Sequence, residues 1–396
     1  MEMKKRMMNI HISQPKGLKH KKLTASDLLP WLPALLYLAN IWFRMGHSSA
    51  PYLACLICAG SCGLIGMMKY SKVRRRGIIS FMIVYFIMGL INCMIIRNIE
   101  IRDLANDALL FGVLFLMLLY PMNLCQGTIF YCVSMVPFVF TYFTGRAAKD
   151  ILTSSGNFVS VLVIISTCIF YISVYNSRKE FLLIHLIPAA LCFFLSVWAR
   201  GRGGILGSTV LLALMVAYYL YVYIRRGGSL RAVLLWFVII LICGYLFIRN
   251  INLIESFMSL GKWSSKGTDN TDRIGLWRDY FSKAWESVVY LIGGAPFRQI
   301  PSIQAFGNNT HNSFLQLHAT NGLPALGMFL FLLVRAICRQ IKKKQLLLAI
   351  LITALFVRGM TDKFIFGQYG MPVMLYLVFR WDFEKKERPV CSVEGL

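Results

Sequence analysis

Apolar runs long enough to cross a lipid bilayer recur along this chain. The clearest extends from Gly203 to Ile224, 22 residues without a charged side chain. At about 1.5 Å per residue, a helix of this length spans the hydrocarbon core of a membrane. Hydrophobic residues make up 57% of the 396 residues and charged residues only 15%, which is too apolar for a soluble protein of this size. The pattern predicts an all-α, polytopic integral membrane protein.

Hydropathy predicts about twelve transmembrane helices and one long polar loop. Nine helices fall within 28–248 and three within 313–380, on either side of the polar segment 249–312. A basic tail, 1–27, precedes them, and a short tail, 381–396, follows. The predicted spans are 28–43, 51–68, 78–96, 104–122, 124–143, 157–175, 181–198, 203–224, 231–248, 313–334, 346–359 and 366–380.

Lys and Arg predict the orientation of these spans. With the N-terminus in the cytoplasm, cytoplasmic segments hold 26 Lys and Arg, and the short segments on the other side hold 9. Long loops are translocated with little regard to charge, so this contrast follows the positive-inside rule. Both termini are then cytoplasmic, and the loop 249–312 lies outside. The net charge of +25 is explained by topology and by attraction to anionic membrane lipids, so we expect no nucleic-acid partner.

The end of the polar loop contains a predicted amphipathic helix over residues 271–294. Asp272 is a plausible N-cap, and Gly293 and Gly294 form a stop signal. A helix with one apolar face lies against the membrane or the top of the bundle. The apolar face is predicted to consist of Trp277, Phe281, Ala284 and Val288.

The 11 cysteines predict neither a disulfide framework nor a metal site. They are scattered, mostly in apolar runs, and none lies in the segment 249–312. Cys55, Cys58 and Cys62 have a spacing that metal sites use, but no His or carboxylate is near them in the sequence. We interpret these three as small packing residues.

Two arginines stand in a very short external turn, in the stretch WARGRGGILG. Arg200 and Arg202 oppose the positive-inside bias, and Gly201, Gly203 and Gly204 allow close approach of the backbone. A guanidinium offers a permanently charged, fork-shaped donor for a phosphate or a carboxylate. The alternative is that both arginines snorkel to the level of the lipid head groups.

Arg273 is predicted to lie near the apolar face of its helix, whereas Arg278 points away. A buried cation needs an anion, and a cation in the first turn of a helix is disfavoured by the helix dipole. A bound anion would resolve both problems. The alternative is an ion pair with a loop carboxylate such as Glu255 or Asp269.

His311 lies in a polar stretch at the mouth of the tenth predicted span, between Thr310 and Asn312. With an ordinary pKa near 6.5, a histidine can take or give a proton at neutral pH. A structural role is the alternative. His318 shares the same helical face and lies about two turns deeper.

Other chemistry is either absent from the sequence or ambiguous. The chain has no D-x-D motif for a metal-held nucleotide sugar, no P-loop and no G-x-S-x-G, so we expect no metal and no cofactor. Asp107, within the fourth predicted span, forms a face with Glu100 and Asp103. An intramembrane carboxylate is a functional suspect, and an interfacial position is the alternative.

These features together resemble the O-antigen ligase family, mainly over residues 200–365. The resemblance consists of an Arg opening a span (Arg202), an Arg early in an external helix (Arg273), and a His-Asn pair, His311-Asn312, before a helix with Gly322 and Gly327. A Thr-Asp pair near the end of the next span, Thr361-Asp362, also fits the family.

The resemblance implies a metal-independent, inverting glycosyltransferase in the bacterial inner membrane. Such ligases transfer a glycan from undecaprenyl pyrophosphate to lipid A-core oligosaccharide on the periplasmic face. It implies that Arg202 and Arg273 hold the pyrophosphate with help from Arg200, and that His311 activates the acceptor hydroxyl. Thr310, Asn312 and Asp362 would support substrate binding.

Two other functions remain open at this stage. An O-antigen polymerase uses the same donor and a second lipid-linked glycan as acceptor. A transporter of lipid-linked glycan is a different class, but it needs charged residues along a path through the bundle. Here the charged residues cluster at one face, which favours an enzyme.

Overall fold

The computed structural model describes residues 28–69, 76–152, 157–178, 180–229 and 271–383. All regular secondary structure in these ranges is helical, which confirms the all-α prediction for this part of the chain. The two predicted tails, except for 381–383, the ninth predicted span and the first part of the long loop lie outside the described residues. Each of the other eleven predicted spans overlaps a helix.

The described ranges contain fourteen α-helices, α1 to α14 in chain order. A five-residue π-helical segment, Asn92–Ile96, extends α3, and a short 3₁₀ turn, Leu183–Leu186, precedes α7. The helices are α1 Trp31–Arg44, α2 Ala50–Lys69, α3 Arg76–Ile91, α4 Ile101–Leu119, α5 Leu124–Phe143, α6 Asn157–Asn176, α7 Ile187–Trp198, α8 Arg202–Arg225, α9 Thr271–Trp285, α10 Val288–Gly293, α11 Pro301–Ala305, α12 Ser313–Lys342, α13 Leu346–Gly359 and α14 Met371–Phe383.

Within the described ranges, six helices are long and apolar enough to cross a membrane: α2, α3 with its π-helical extension, α5, α6, α8 and α12. Three shorter apolar helices are Leu183–Trp198, α13 and α14. The chain is therefore a helical membrane protein, and the full number of twelve spans stays a prediction.

The centre of the bundle is α6, which is almost entirely buried because α5, α7, α8 and α13 pack around it. The second half of α4 is buried in the same way against α2 and α14. Buried apolar side chains from both regions form one continuous core. This core fixes the ends of α4, α8 and α13, where the polar residues discussed below are located.

The last predicted span begins later than the sequence suggested. The prediction was 366–380, but α14 starts only at Met371. Residues 364–370 instead form a tight turn, in which Gly370 N–H donates to the carbonyl of Phe364 and Gly367 has a φ of +66°. This turn is apolar because Phe364, Ile365 and Phe366 are buried in the bundle, so hydropathy alone could not distinguish it from helix.

The predicted amphipathic helix is divided into two. α9 ends at Trp285, and α10 starts at Val288 after Ser287, whose hydroxyl caps it by accepting from the N–H of Val289. Asp272 lies inside α9, since the helix already includes Thr271, so the predicted N-cap was wrong. The stop was correct, because α10 ends at Gly293 and Gly294 has a φ of +103°.

The predicted apolar face of this segment was also displaced. Leu276, Tyr280 and Ala284 are the buried residues of α9, whereas Phe281 is 46% and Val288 70% exposed. The buried face is the one that contacts α12 and the loop before it. Hydropathy could not select this face, because Tyr280 and Trp277 are held there by hydrogen bonds as well as by burial.

The tenth predicted span is longer than expected and is broken. α12 extends to Lys342, eight residues beyond the predicted end, and Gly322 interrupts it with a φ of +74° and a ψ of 173°. A Cβ at Gly322 would lie 2.7 Å from Cε of Met88 and would collide with the carbonyl oxygen of Ile292. Gly327, in contrast, has open space around it, so the predicted close packing applies to Gly322 alone.

Candidate functional site

Four segments bring charged residues together at one end of the bundle. They are the start of α8 with Arg202, the start of α9 with Arg273, the loop before α12 with His311, and the end of α13 with the turn after it. The last segment contributes Arg358 and Asp362. The charges of Arg202, Arg358 and Asp362 all act on Arg273, and those of Asp362 and Arg273 act on His311. The predicted site residues Arg202, Arg273, His311 and Asp362 are therefore neighbours.

Asp362 lies at the centre of this group. Its Oδ2 accepts a hydrogen bond from Nη2 of Arg358 at 3.3 Å, and its Oδ1 lies 3.9 Å from Nδ1 of His311. Its side chain is 16% exposed. The N–H of Lys363 donates to the same Oδ1 at 2.9 Å, which fixes the carboxylate between the arginine and the histidine.

Arg358 is a site residue that the sequence reasoning missed. It is 1% exposed at the end of α13, and it donates to Thr361 Oγ1 at 3.0 Å as well as to Asp362. Its Nε is buried without a hydrogen-bond partner in the structure. The available signal was an Arg inside an apolar span with an Asp four residues later, a pattern that marks functional positions in membrane helices.

Glycines allow α8 to approach Arg358 closely. A Cβ at Gly203 would lie 3.2 Å from Nη1 of Arg358, and a Cβ at Gly207 would lie 3.0 Å from its Cβ. Arg202 immediately precedes this contact and is half-buried. The glycines after Arg202 thus bring the start of α8 against Arg358, and the charge of Arg202 acts on Arg273.

Arg273 is half-buried and Arg278 is exposed, as the helical projection predicts. Burial lowers the pKa of the Arg273 guanidinium; Asp362 opposes this shift, and the charges of Arg202 and Arg358 add to it. An arginine remains protonated in proteins nevertheless. The predicted alternative partners, Glu255 and Asp269, lie outside the described residues. Among the described residues, the negative charge of Asp362 interacts with Arg273.

The residues of α9 that follow Arg273 on the same face hold the helix against the His311 loop. Trp277 donates its indole N–H to the carbonyl of Thr310 at 2.9 Å. One turn later, the hydroxyl of Tyr280 lies 2.6 Å from Nδ1 of His318. Because these contacts share a helical face with Arg273, they orient its side chain toward the histidine loop.

His311 has a left-handed backbone with a φ of +51°, which is uncommon for a residue with a Cβ. Its backbone N–H donates to Oδ1 of Asn309 at 2.8 Å, and its imidazole ring forms a T-shaped pair with the ring of Phe306. Burial lowers the pKa of the His311 imidazole; Asp362 opposes the shift, and Arg273 and Lys363 add to it. The ring is therefore neutral at pH 7 and can accept a proton.

Thr310 and Asn312 hold the backbone on either side of His311. Both are buried, and the hydroxyl of Thr310 donates to the carbonyl of Asn312 at 2.9 Å. Asn312 caps α12 through Oδ1, which accepts from the N–H groups of Phe314 and Leu315. Their positioning role is clear from these bonds, and the expected contact with substrate stays a prediction.

Ser313 is a second residue that the sequence reasoning missed. Its hydroxyl donates to the carbonyl of Asp362 at 2.7 Å and accepts from the N–H of Phe364 at 3.1 Å. It thereby joins the His311 loop to the Asp362 turn. A serine at the first position of a helix gives no sequence signal for such a link, because its partners are about 50 residues away.

His318 and Arg200 lie apart from this arrangement. His318 is buried, with Nδ1 at the hydroxyl of Tyr280 and Nε2 2.7 Å from the carbonyl of Leu291. Since a carbonyl can only accept, a neutral His318 carries its proton on Nε2. Arg200 is exposed in a left-handed turn, with a φ of +55°, and its role in binding stays a prediction.

The predicted acidic face of α4 has two different parts. Glu100 and Asp103 are exposed and form a reciprocal capping box at the start of the helix. Asp107 is 5% exposed and accepts a hydrogen bond from the hydroxyl of Tyr85 at 2.8 Å, so its carboxylate is buried inside the protein. In the described ranges, no group of three or more His, Cys, Asp or Glu could hold a metal ion, and Cys55, Cys58 and Cys62 are free thiols.

The arrangement combines cations with a neutral base. Arg202, Arg273 and Arg358 converge beside one carboxylate, Asp362, and a cluster with this excess of positive charge is suited to bind a doubly charged phosphate group. His311 stands at the edge of the cluster. The chemistry that this supports is group transfer from a phosphorylated donor to a hydroxyl.

Comparison with known proteins identifies the same segment of the chain. Residues 187–330 match the family model described as O-antigen ligase. No curated protein and no solved structure matches the chain. The matched segment includes Arg202, Arg273 and His311 and ends before α13, which carries Arg358. Residues 187–330 are therefore similar to the O-antigen ligase family, which confirms the resemblance that the sequence motifs indicate.

Proposed function

We propose that this protein is an O-antigen ligase of the bacterial inner membrane. It transfers a glycan from undecaprenyl pyrophosphate to lipid A-core oligosaccharide on the periplasmic face. The observation that carries the proposal is the convergence of Arg202, Arg273 and Arg358 around Asp362, with His311 beside them. A pyrophosphate leaving group needs this kind of cationic site, and a hydroxyl acceptor needs a base.

The proposed reaction is a single displacement at the anomeric carbon of the donor sugar. The acceptor oxygen attacks this carbon while the bond to the pyrophosphate oxygen breaks, so the configuration inverts. The hydroxyl proton goes to the neutral imidazole of His311, and the leaving group departs as undecaprenyl pyrophosphate. The arginines stabilise the charge that develops on the leaving oxygen.

Asp362 has a supporting role in this proposal. Its carboxylate orients Arg358 and stabilises the imidazolium that His311 becomes after it takes the proton. Arginines supply the charge stabilisation that a metal ion provides in other transferases, and the sequence has no D-x-D motif. We therefore propose a metal-independent transfer.

The sidedness of the proposal comes from the distribution of charge. With both tails in the cytoplasm, the starts of α8 and α12 and the end of α13 all face the periplasm. The charged residues of the site then lie at one face of the bundle, which favours an enzyme over a transporter. An O-antigen polymerase would use the same donor site and differ in its acceptor.

A deletion strain tests the proposal and separates these functions. For a ligase, lipopolysaccharide gels of the deletion strain should lose all capped chains, while polymer accumulates on the lipid carrier. A ladder reduced to core plus a single repeat would identify a polymerase. Unchanged capped chains, with the gene absent, would rule out both.

A further inference from the structure

Behind the arginine cluster is a polar cavity of about 200 Å³ that the proposed chemistry does not use. It lies between α4, α12 and the turn after α13. Its exposed end includes Asp103 and Asn308, and its buried end includes Asp107. Lys363 lines it as well and follows Asp362 directly, so the cavity and the arginine cluster share a wall.

The wall residues determine what the cavity can hold. Two carboxylates, Asp103 and Asp107, oppose the binding of an anion. The ammonium of Lys363 opposes the binding of a metal cation, and burial lowers its pKa while Asp362 and Asp103 oppose that shift. Asn106, Gln316 and Gln368 add amides that both donate and accept hydrogen bonds. A neutral ligand with many hydroxyl groups is the class that satisfies all of these side chains.

One polar atom at the buried end lacks a partner. Oδ1 of Asp107 is buried and makes no hydrogen bond, although Oδ2 of the same carboxylate accepts from Tyr85. The neighbouring Asn106 amide interacts with the carboxylate group, and Oδ1 is still without a hydrogen-bond partner. A buried carboxylate oxygen without a donor is costly, and a ligand hydroxyl would satisfy it.

The cavity is connected to the loop that carries His311. Oε1 of Gln316, a cavity residue, lies 3.2 Å from the hydroxyl oxygen of Thr310, next to His311. On the other wall, the ammonium of Lys363 lies 3.5 Å from the carbonyl of Asn308. A ligand in the cavity would therefore lie close to the reacting groups of the proposed transfer.

We propose that this cavity binds one sugar unit of a glycan substrate, with Asp107, Gln368 and Lys363 as its hydroxyl-binding residues. The proposal rests on the proposed glycan transfer. The cavity is smaller than the ~300–1,000 Å³ that larger ligands occupy, which fits a single monosaccharide. The sugar comes either from the donor, next to its pyrophosphate, or from the acceptor, next to its reactive hydroxyl.

Binding measurements distinguish these sources. Purified full-length protein is titrated with glycan-linked undecaprenyl pyrophosphate and, separately, with lipid A-core. Asp107→Asn retains the shape of the side chain, and Gln368→Ala removes an amide that makes no described hydrogen bond through its side chain. Asp150→Asn is the matched control, because Asp150 is a capping carboxylate in a different external turn.

We expect Asp107→Asn and Gln368→Ala to weaken the binding of one of the two probes by about five- to tenfold, while Asp150→Asn has no effect. The probe that loses affinity identifies the source of the sugar. If the wild type binds both probes and neither variant changes either affinity, the sugar site is wrong and the proposed function stands. If the wild type binds neither probe, the proposed function fails, and the sugar site fails with it.

Discussion

Arg273 and Arg278 lie on the same helix in opposite surroundings, and this contrast gives a matched test. Arg273 is half-buried beside Asp362, whereas Arg278 is exposed. We predict that Arg273→Lys lowers the transfer rate at least about tenfold, because a lysine keeps the charge but cannot form a bidentate pair with a phosphate. Arg278→Lys should transfer normally. Initial rates of both variants, corrected for protein abundance, test this, and equal rates would place pyrophosphate binding elsewhere.

The pKa of His311 predicts the pH dependence of transfer. Since His311 must be neutral to act as a base, the rate should fall as pH decreases through its pKa. Burial places this pKa below the ordinary 6.5, so the acidic limb should lie below that value. Asp362 raises the pKa, so Asp362→Asn should shift the limb to still lower pH. The profile of kcat/KM against pH measures the position of the limb, and a shift to higher pH would contradict the assigned contact.

At the scale of residues, the sequence indicated candidate members of the site but not their contacts. Arg202, Arg273 and His311 could be selected because each is polar at the end of an apolar run on the same side. Arg358 could not be selected by this argument, since it lies inside a predicted span. The role of Ser313 depends on the turn at Asp362, 49 residues later, and this proximity is created only by the packing of α12 against α13.

At the scale of elements, α12 is interrupted at Gly322, and the backbone conformation at this break explains why a glycine is found there. Gly322 has a left-handed backbone and lies against Ile292 and Met88. Gly322→Ala should therefore destabilise the protein by roughly 1–3 kcal/mol. Gly327→Ala is the control in the same helix, because no atom lies within 4 Å of a Cβ there.

Thermal unfolding of the purified variants measures this difference. We expect a lower midpoint for Gly322→Ala and an unchanged or higher midpoint for Gly327→Ala, since alanine favours helix. Equal midpoints for both variants would mean that the break in α12 does not require glycine.

The segment that contains α9 and α10 could be predicted only in part from the sequence. Its helical character and its stop at Gly293 and Gly294 followed from local sequence signals. The division at Ser287 and the choice of the buried face did not, because they depend on α12. The hydrogen bonds of Trp277 and Tyr280 to the α12 region select a face that differs from the most apolar one.

At the scale of the whole molecule, the proposed function requires the site to face the periplasm. A reporter enzyme that is active only outside the cytoplasm should be active when fused after Lys266. The control fusion after Lys343, between α12 and α13, should be inactive, because that turn is predicted to be cytoplasmic. The opposite pattern would place the arginine cluster on the side where lipid A-core does not receive its glycan.

The length of the apolar runs predicted a helical membrane protein, and the Lys and Arg counts gave a predicted orientation. Neither could predict which helices are in contact. The convergence of α8, α9, α12 and α13 required the packed structure, because the residues involved are spread over about 160 positions of the chain. The resemblance to O-antigen ligases rested on the order of short motifs. The structure adds that these motifs meet around Asp362.

In the proposed reaction, His311 activates the acceptor while the arginines hold the donor. The most direct test is to measure transfer and donor binding separately for purified His311→Ala, with His318→Ala for comparison. A general base typically contributes ~10²–10⁴-fold, so His311→Ala should lose about that much turnover while it still binds glycan-linked undecaprenyl pyrophosphate. His318→Ala should lose stability, because it leaves Tyr280 and the carbonyl of Leu291 unpaired, but it should retain more turnover per folded molecule. If His311→Ala turns over normally or loses donor binding, or if His318→Ala is the more damaging change to turnover, His311 does not have this role.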